Sequence, residues 1–190
     1  MNGKIVIVDD EPITRMDIRE MLEEADYNVV GEASDGFEAI ELCKKHLPDL
    51  VILDVQMPIL DGLKAGKRII SEQLAGGVIL LTAFSDKQTI EKATSIGALG
   101  YLVKPLDEKS FIPMVEVTIA KGKEIRKLEQ NLSKLSQKME ERKAVEKAKG
   151  ILMKENGCTE EEAYQTLRKL SMDRRCPMIE IATTIVISYD

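Results

Sequence analysis

The first 110 residues alternate short apolar runs with segments of helical periodicity, and this alternation restricts the fold more than any other feature. Apolar, largely β-branched runs predict five strands, at 4–8, 28–31, 50–53, 78–81 and 100–103. Apolar residues at helical spacing predict helices at 13–24, 37–46, 63–71 and 87–96, with another helix after Pro105. Strands that alternate with helices form parallel sheets covered on both faces. Residues 1–118 are therefore predicted to form a doubly wound α/β domain with a five-stranded parallel sheet.

Polar residues follow four of these strands where each strand ends. Asp9 and Asp10 follow the first strand, Asp54 ends the third, and Thr82 and Lys104 follow the fourth and fifth. Singly, each has an ordinary explanation, such as a helix cap or a loop lysine, but the carboxyl ends of parallel strands meet at one edge. Three carboxylates brought together repel one another unless a cation lies between them, and Mg²⁺ suits oxygen ligands. The Thr82 hydroxyl and the Lys104 ammonium are suited to bind the oxygens of a phosphoryl group. Asp54, which ends the third strand, is then a candidate nucleophile that accepts this group.

These stretches resemble the receiver domain of two-component response regulators, which has a flavodoxin-like fold. The matching segments are IVIVDDEP, DLVILDVQMPILDG, LLTA and GYLVKP. The resemblance implies that Asp54 is the phosphoacceptor. It also implies a Mg²⁺ ion held by four groups: Asp9, Asp10, Asp54 and the main-chain carbonyl of Gln56. Thr82 and Tyr101 would then form a switch pair, and Lys104 would hold the phosphoryl group.

Charge divides the chain near residue 120. Residues 1–120 carry a net charge of −9 and residues 121–190 carry +3, with ten Lys or Arg against five Asp or Glu in 121–150. An acidic domain followed by a basic segment is typical of two modules with different partners. The basic segment can bind nucleic acid or can be the solvated face of a helix, and charge alone leaves both open.

Residues 119–142 are predicted to form a helical linker with a short coiled-coil seam. Apolar residues recur at alternating spacings of three and four: Ile125, Leu128, Leu132, Leu135 and Met139. The seam covers about two heptads, whereas a sustained coiled coil needs about three or four. It can pair with a helix of the same chain or with a second copy. We favour a parallel homodimer that forms when the protein is phosphorylated, because a marginal seam can be switched.

Residues 143–190 are predicted to form three short helices, at 144–155, from a capping box at Thr159 to about 172, and at 178–187. The predicted core is Ala148, Ile151, Leu152, Ala163, Leu167, Leu170, Ile181 and Ile185. A helix-turn-helix DNA reader is one interpretation, but the third helix has no Lys, Arg, Asn or Gln to read bases. Tyr164 and Arg168 share a helix face, where a ring and a guanidinium can bind unstacked RNA bases and phosphate. The alternative is that Tyr164 packs in the core and Arg168 is an ordinary surface charge.

The segment 130–190 resembles the ANTAR domain of transcription antitermination regulators, through AVEKAKGILM, CTEEEAY with the following LRK, and IATTI. The resemblance implies binding to paired hairpins of a nascent leader RNA, which prevents transcription termination. It places five candidate RNA contacts: Lys149, Gly150, Ala163, Tyr164 and Arg168. A glycine inside a helix costs about 1 kcal/mol relative to alanine, which close approach of another backbone would explain. The arrangement is similar to antiterminators of ethanolamine utilisation, which implies a sensor histidine kinase as partner.

These interpretations predict a regulator that is activated by phosphorylation, dimerises and binds leader RNA, and that is not an enzyme. A DNA-binding transcription factor and a protein-interaction adaptor are the alternatives. No apolar run is long enough to span a bilayer, and a signal peptide is not expected. The lone His46 and three scattered cysteines have no metal-binding spacing. A soluble cytoplasmic protein without a membrane partner is expected.

Overall fold

The computed structural model describes residues 3–83 and 87–189, without the side chains of residues 87–90. It divides into two compact units, Met1–Lys127 and Leu128–Asp190. The division falls inside the linker predicted over 119–142. No helix among the described residues is long and apolar enough to cross a lipid bilayer.

The first unit is built from five strands and the helices between them. Its elements are β1 (Lys4–Val8), α1 (Pro12–Glu24), β2 (Asn28–Ala33), α2 (Gly36–His46), β3 (Leu50–Asp54), α3 (Gly62–Ser71), β4 (Val78–Thr82), α4 (Lys87–Ser95) and β5 (Gly100–Val103). A long helix, α5 (Glu108–Asn156), follows and contributes residues to both units. The strands are all parallel in the order β2-β1-β3-β4-β5, which confirms the predicted doubly wound sheet.

Consecutive residues of a strand point to opposite faces of the sheet. Because the strand residues are apolar in succession, both faces of this sheet are apolar. The residues at 5 and 7 face one helical layer and those at 6 and 8 face the other, and all four are fully buried. On the first face the helical contacts include Ile18, Leu22 and Phe111. Met16, which has the same helical periodicity, is 62% exposed, so the covered stripe of α1 is narrower than predicted.

Aspartates begin two of the helices that flank the sheet. The Asp35 carboxylate accepts hydrogen bonds from the backbone N–H groups of Phe37 and Glu38, at 2.8 and 3.0 Å, at the start of α2. Asp61 does the same for Lys64 N, at 2.9 Å, at the start of α3. These caps satisfy backbone donors that have no partner within the helix, and they fix where each helix leaves its loop.

The second unit contains the last part of α5, then α6 (Glu160–Arg174) and α7 (Met178–Tyr189). The predicted capping box is present, since Thr159 N donates to Glu162 Oε2 at 2.8 Å and Thr159 Oγ1 accepts from Glu162 N at 3.3 Å. The fully or nearly fully buried core cluster is Ala148, Leu167, Ile181 and Ala182. The prediction that Ile151 belongs to this core is wrong. The residues of α5 that pack here are at 144, 145, 148 and 152, and Ile151 is partly buried outside the cluster.

Candidate functional site

The carboxyl edge of the sheet brings three carboxylates together. Asp9 and Asp10 lie in the loop after β1 and Asp54 is the last residue of β3, and their oxygens lie within 4.8 Å of one another. Asp9 is fully buried and Asp54 is 5% exposed, whereas Asp10 is exposed. Each strand thus delivers its aspartate to one point, with one carboxylate open to solvent.

Lys104, directly after β5, is the cation inside this cluster. Its Nζ lies 2.8 Å from Asp54 Oδ2 and 2.6 Å from Asp9 Oδ2. Burial raises the pKa of the Asp54 carboxyl, and together with the nearby charge of Asp9 it outweighs the lowering by Lys104 and by the Gln56 N–H. Burial alone would lower the pKa of the Lys104 ammonium, but the adjacent Asp54 and Asp9 carboxylates outweigh burial and raise that pKa.

The donor set fits a hard divalent cation. Three carboxylates lie together but Lys104 pairs with only two of them, so the cluster keeps an excess of negative charge at its solvent side, where Asp10 lies. Carboxylate and peptide oxygens are the ligands that Mg²⁺ prefers, and it usually keeps several water molecules as well. The main-chain carbonyl of Gln56, the expected fourth ligand, is in the loop two residues after Asp54, and the N–H of Gln56 donates to Asp54 Oδ1 at 3.3 Å. The residues present therefore suit Mg²⁺ at this edge of the sheet.

Gly62 allows the loop after Asp54 to close tightly, and sequence analysis did not single it out. A Cβ atom at this position would lie 1.8 Å from the main-chain oxygen of Asp54, which no side chain tolerates. The N–H of Gly62 also donates to the carbonyl oxygen of Val55 at 3.0 Å. The Asp-Gly pair at 61–62 was the available signal, because it combines a helix cap with a residue that has no side chain.

Thr82 and Tyr101, the expected switch pair, lie on neighbouring strands. Thr82 ends β4 and is 1% exposed, and Tyr101 belongs to β5. In the ladder Tyr101 is paired with Leu80 and Thr82 with Val103, so the two residues are two steps apart along adjacent strands. Tyr101 is partly buried against the apolar cluster on one face of the sheet. Their role as a switch stays a prediction.

The five seam residues on α5 are exposed in the single chain. Their exposed fractions run from 38% for Ile125 to 71% for Leu132, with Leu128, Leu135 and Met139 between 60% and 62%. Among the described residues, no helix of the same chain covers them to the extent expected of an intrachain pair. The seam therefore remains an uncovered apolar stripe.

Three of the five candidate RNA contacts lie at the surface. Tyr164 is 38% exposed, and Arg168 is exposed one helical turn further along α6. Gly150 is exposed on α5, and a Cβ atom added there would meet nothing within 4 Å in the described chain. The close backbone approach expected at Gly150 is thus not made within this chain.

The other two candidates are held inside the second unit. Ala163 is fully buried, so its side chain belongs to the packed interior and does not reach the surface expected for RNA. Lys149 is also buried, and its Nζ lies 2.8 Å from Glu146 Oε1 and 2.7 Å from Glu160 Oε1. Hydrogen bonds to Glu146 and to Glu160 raise the pKa of this ammonium. Lys149 thus joins α5 to the start of α6, beside a shallow groove that Tyr164 also lines.

Comparison with known proteins matches both parts of the chain to families. The model of the response regulator receiver domain matches residues 5–116, and that of the ANTAR domain matches residues 133–186. The transcriptional regulatory protein PdtaR of Mycobacterium tuberculosis is 43% identical over 183 residues, which is 96% of this chain and 89% of PdtaR. Protein CcdB of Bacillus subtilis is 39% identical over 112 residues, which is 59% of this chain and 93% of CcdB.

Solved structures show the same similarity for the first unit. The receiver domain of the putative response regulator NarL from Mycobacterium tuberculosis aligns with a TM-score of 0.58 at 32% identity, over 64% of this chain and 97% of that domain. A structure of the CheX–CheY–BeF3–Mg²⁺ complex from Borrelia burgdorferi aligns with a TM-score of 0.56 at 30% identity, over 59% of this chain and 85% of the matched chain.

Proposed function

The chain belongs to the response regulators that combine a receiver domain with an ANTAR domain, and from this we propose that it is a phosphorylation-activated antiterminator. A sensor histidine kinase phosphorylates Asp54, the phosphorylated chain dimerises, and the ANTAR domains bind paired hairpins of a nascent leader RNA. Occupied hairpins prevent a terminator from forming. The proposal places the protein in the cytoplasm, where kinase output and nascent RNA meet. Its assignment to ethanolamine utilisation in particular stays a prediction.

The observation that carries the proposal is the buried Asp54 carboxylate paired with Lys104 beside two further aspartates. In the phosphoryl step, an Asp54 oxygen attacks the phosphorus and forms an O–P bond. The bond from phosphorus to the donor atom breaks, and its electron pair leaves with the donor. The donor atom is the kinase histidine nitrogen or the oxygen of a small acyl phosphate.

Residues around Asp54 prepare the site for that transfer. Lys104 is placed to pair with the negatively charged phosphoryl oxygens, because its ammonium already lies 2.8 Å from an Asp54 oxygen. Mg²⁺ held by Asp9, Asp10, Asp54 and the Gln56 carbonyl would supply the positive charge that phosphoryl oxygens require. The Borrelia CheY complex, which contains BeF3 and Mg²⁺ on a similar fold, supports this part of the proposal.

Dimerisation is proposed to follow from phosphorylation through Thr82 and Tyr101. A phosphoryl group on Asp54 presents oxygens to the end of β4, and Thr82 can donate its hydroxyl there. Movement of Thr82 and of Tyr101 on the next strand would change the face beside β4 and β5, which favours paired receivers. The uncovered seam on α5 supports a homodimer, because a parallel partner would bury the five apolar side chains that a single chain leaves exposed.

RNA contact is proposed for the exposed face of the second unit. The Tyr164 ring and the Arg168 guanidinium, one turn apart, can stack on or pair with unstacked loop bases and bind phosphate. The open side of Gly150 admits close approach of an RNA backbone. Lys149 is paired with Glu146 and Glu160, and an RNA phosphate would compete with these two carboxylates for its ammonium. DNA reading by α7 is the weaker candidate, because Met178–Tyr189 contains no basic residue.

Asp54→Asn tests the phosphoacceptor directly, since it removes the anionic nucleophile and preserves size. Incubated with Mg²⁺ and a radiolabelled acyl phosphate, the variant should incorporate no label, whereas Asp17→Asn, which removes an exposed carboxylate from α1, should label like the wild type. Alkali-labile label on the wild type is expected of an acyl phosphate. Equal labelling of Asp54→Asn would exclude Asp54 as the acceptor.

A further inference from the structure

Arg15 on α1 connects the acidic cluster to the neighbouring strand β2. Its Nη1 lies 2.6 Å from the main-chain oxygen of Asp9, and its Nε lies 3.2 Å from Glu32 Oε2. The side chains of Arg15 and Glu32 are 18% and 29% exposed. One guanidinium thus holds the end of β1 while a carboxylate on β2 holds the guanidinium.

The carbonyl that Arg15 binds belongs to the peptide group between Asp9 and Asp10. Because a peptide group is planar, a hydrogen bond to its carbonyl fixes the rotation of the whole group and the direction in which Asp10 follows. The other groups of Asp9 are also fixed: its N–H donates to Ala33 O at 3.1 Å, and its Oδ1 accepts from Glu11 N at 3.0 Å.

Asp10 depends on this backbone more than its neighbours do. Its carboxylate is exposed and, in the part of the chain that the structure describes, makes no hydrogen bond or ion pair. Asp9 and Asp54, by contrast, are both paired with Lys104. The place of the Asp10 carboxylate within 4.8 Å of the other two is therefore set by its own backbone.

We infer that Arg15 is a positioning residue for the cation site, because it holds the Asp9–Asp10 peptide so that the Asp10 carboxylate converges with those of Asp9 and Asp54. The inference rests on the proposed Mg²⁺ site. The positive charge of Arg15 opposes binding of a second cation nearby, so any benefit to the site must come from geometry. If Arg15 is replaced by a neutral residue, loss of its positive charge should strengthen Mg²⁺ binding, whereas loss of its hydrogen bond to the Asp9 carbonyl should weaken it.

Arg19 provides a matched control one helical turn away. It binds the other oxygen of the same carboxylate, with Nε 2.5 Å from Glu32 Oε1, and also pairs with Glu23 at 2.9 Å. The structure gives it no bond to Asp9. Arg15→Met and Arg19→Met thus remove the same charge and a bond to the same glutamate, but only Arg15→Met releases the Asp9 carbonyl.

Titration of the full-length unphosphorylated chain with MgCl₂ by isothermal calorimetry tests the inference. Arg15→Met should bind Mg²⁺ about ten-fold more weakly than the wild type, as loss of a residue that orients a metal ligand does, and Arg19→Met should stay within about two-fold. Circular dichroism melts should show the two variants equally folded without Mg²⁺. Equal or tighter Mg²⁺ binding by Arg15→Met than by Arg19→Met would overturn the inference.

Two further variants decide the question if Arg15→Met does not fold. Arg15→Lys keeps the charge but lacks the guanidinium geometry that binds two groups at once, and Glu32→Gln weakens the hold on Arg15; both should lose Mg²⁺ affinity by a smaller factor. Wild-type affinity in both variants would overturn the inference. Absence of saturable Mg²⁺ binding by the wild type would instead refute the proposed cation site itself.

Discussion

Lysine in place of both Leu128 and Leu135 should keep the phosphorylated protein monomeric. The two side chains are 62% and 60% exposed in the single chain, so about three-fifths of each is available to be buried by a partner. Burying a whole leucine contributes about 1.5–3 kcal/mol, which makes each of these worth about 1–2 kcal/mol. A dimer contains four of them, so the double substitution removes about 4–7 kcal/mol and weakens association by roughly 10³–10⁵-fold.

Sedimentation velocity of the full-length chain, with and without an acyl-phosphate donor, measures this effect. Gln130→Lys with Gln137→Lys is the matched control, because these exposed residues have the same seven-residue spacing but lie on the helix face opposite the seam. The control should dimerise like the wild type. Both double variants should melt at the wild-type temperature, since the four positions are exposed in the single chain.

Wild-type dimerisation by the Leu128→Lys, Leu135→Lys variant would refute the seam as the interface and place the contacts elsewhere on the chain. Loss of the dimer in the control as well would attribute the effect to added positive charge. Only a selective loss supports burial of the seam.

Three further predictions follow from the packing. Gly62→Ala should destabilise the first unit by about 3 kcal/mol, because its new methyl overlaps a main-chain oxygen; an unchanged urea midpoint would contradict the tight loop. Gly150→Ala should stabilise the second unit by about 1 kcal/mol yet weaken RNA binding; unchanged RNA affinity would exclude close approach there. Burial raises the pKa of the Cys43 thiol to about 12. At pH 8 iodoacetamide should therefore modify Cys158 and Cys176 in the native protein and leave Cys43 unmodified until the protein unfolds, and rapid reaction of all three would contradict the burial of Cys43.

The acidic cluster could be predicted from the sequence because its placement follows from strand ends. A parallel sheet brings the carboxyl ends of its strands to one edge, so short apolar runs that end in Asp9, Asp54 and Lys104 already define the convergence. The observed Lys104 contacts, 2.6 and 2.8 Å from the two carboxylates, agree with that argument.

Arg15 and Gly62 were not recognised because their roles depend on contacts made in the folded chain, and the Asp-Gly pair at 61–62 indicates a turn but not the strand end that Gly62 approaches. Arg15 lies on an amphipathic helix, where an arginine away from the buried face is ordinary, and only the fold places it against the Asp9 carbonyl. Gly62 is needed because the loop returns to the end of β3, and the distance between its Cα and that strand cannot be obtained from spacing.

The second unit shows the limits of helical periodicity. Periodicity predicts a face, but not which neighbouring helix covers it or where the covered face ends, and Ile151 was placed in the core for that reason. Lys149 and Ala163 were read as RNA contacts from a resemblance in sequence, whereas the packing of α5 and α6 buries both. The pairing of Lys149 with Glu160 joins two helices across a turn, and the charge pattern along either helix alone does not reveal it.

Binding of RNA with two hairpins, compared with the same RNA cut to one, is the most direct test of a phosphorylation-switched RNA-binding dimer. Phosphorylation should tighten two-hairpin binding far more than single-hairpin binding, because two linked ANTAR domains gain affinity through effective concentration. Asp54→Asn should abolish the response, and Arg168→Ala should weaken both complexes by about 1–3 kcal/mol if the guanidinium stacks on a loop base. Equal tightening of both RNAs would contradict the dimer mechanism, and no binding of either RNA would contradict the antiterminator function.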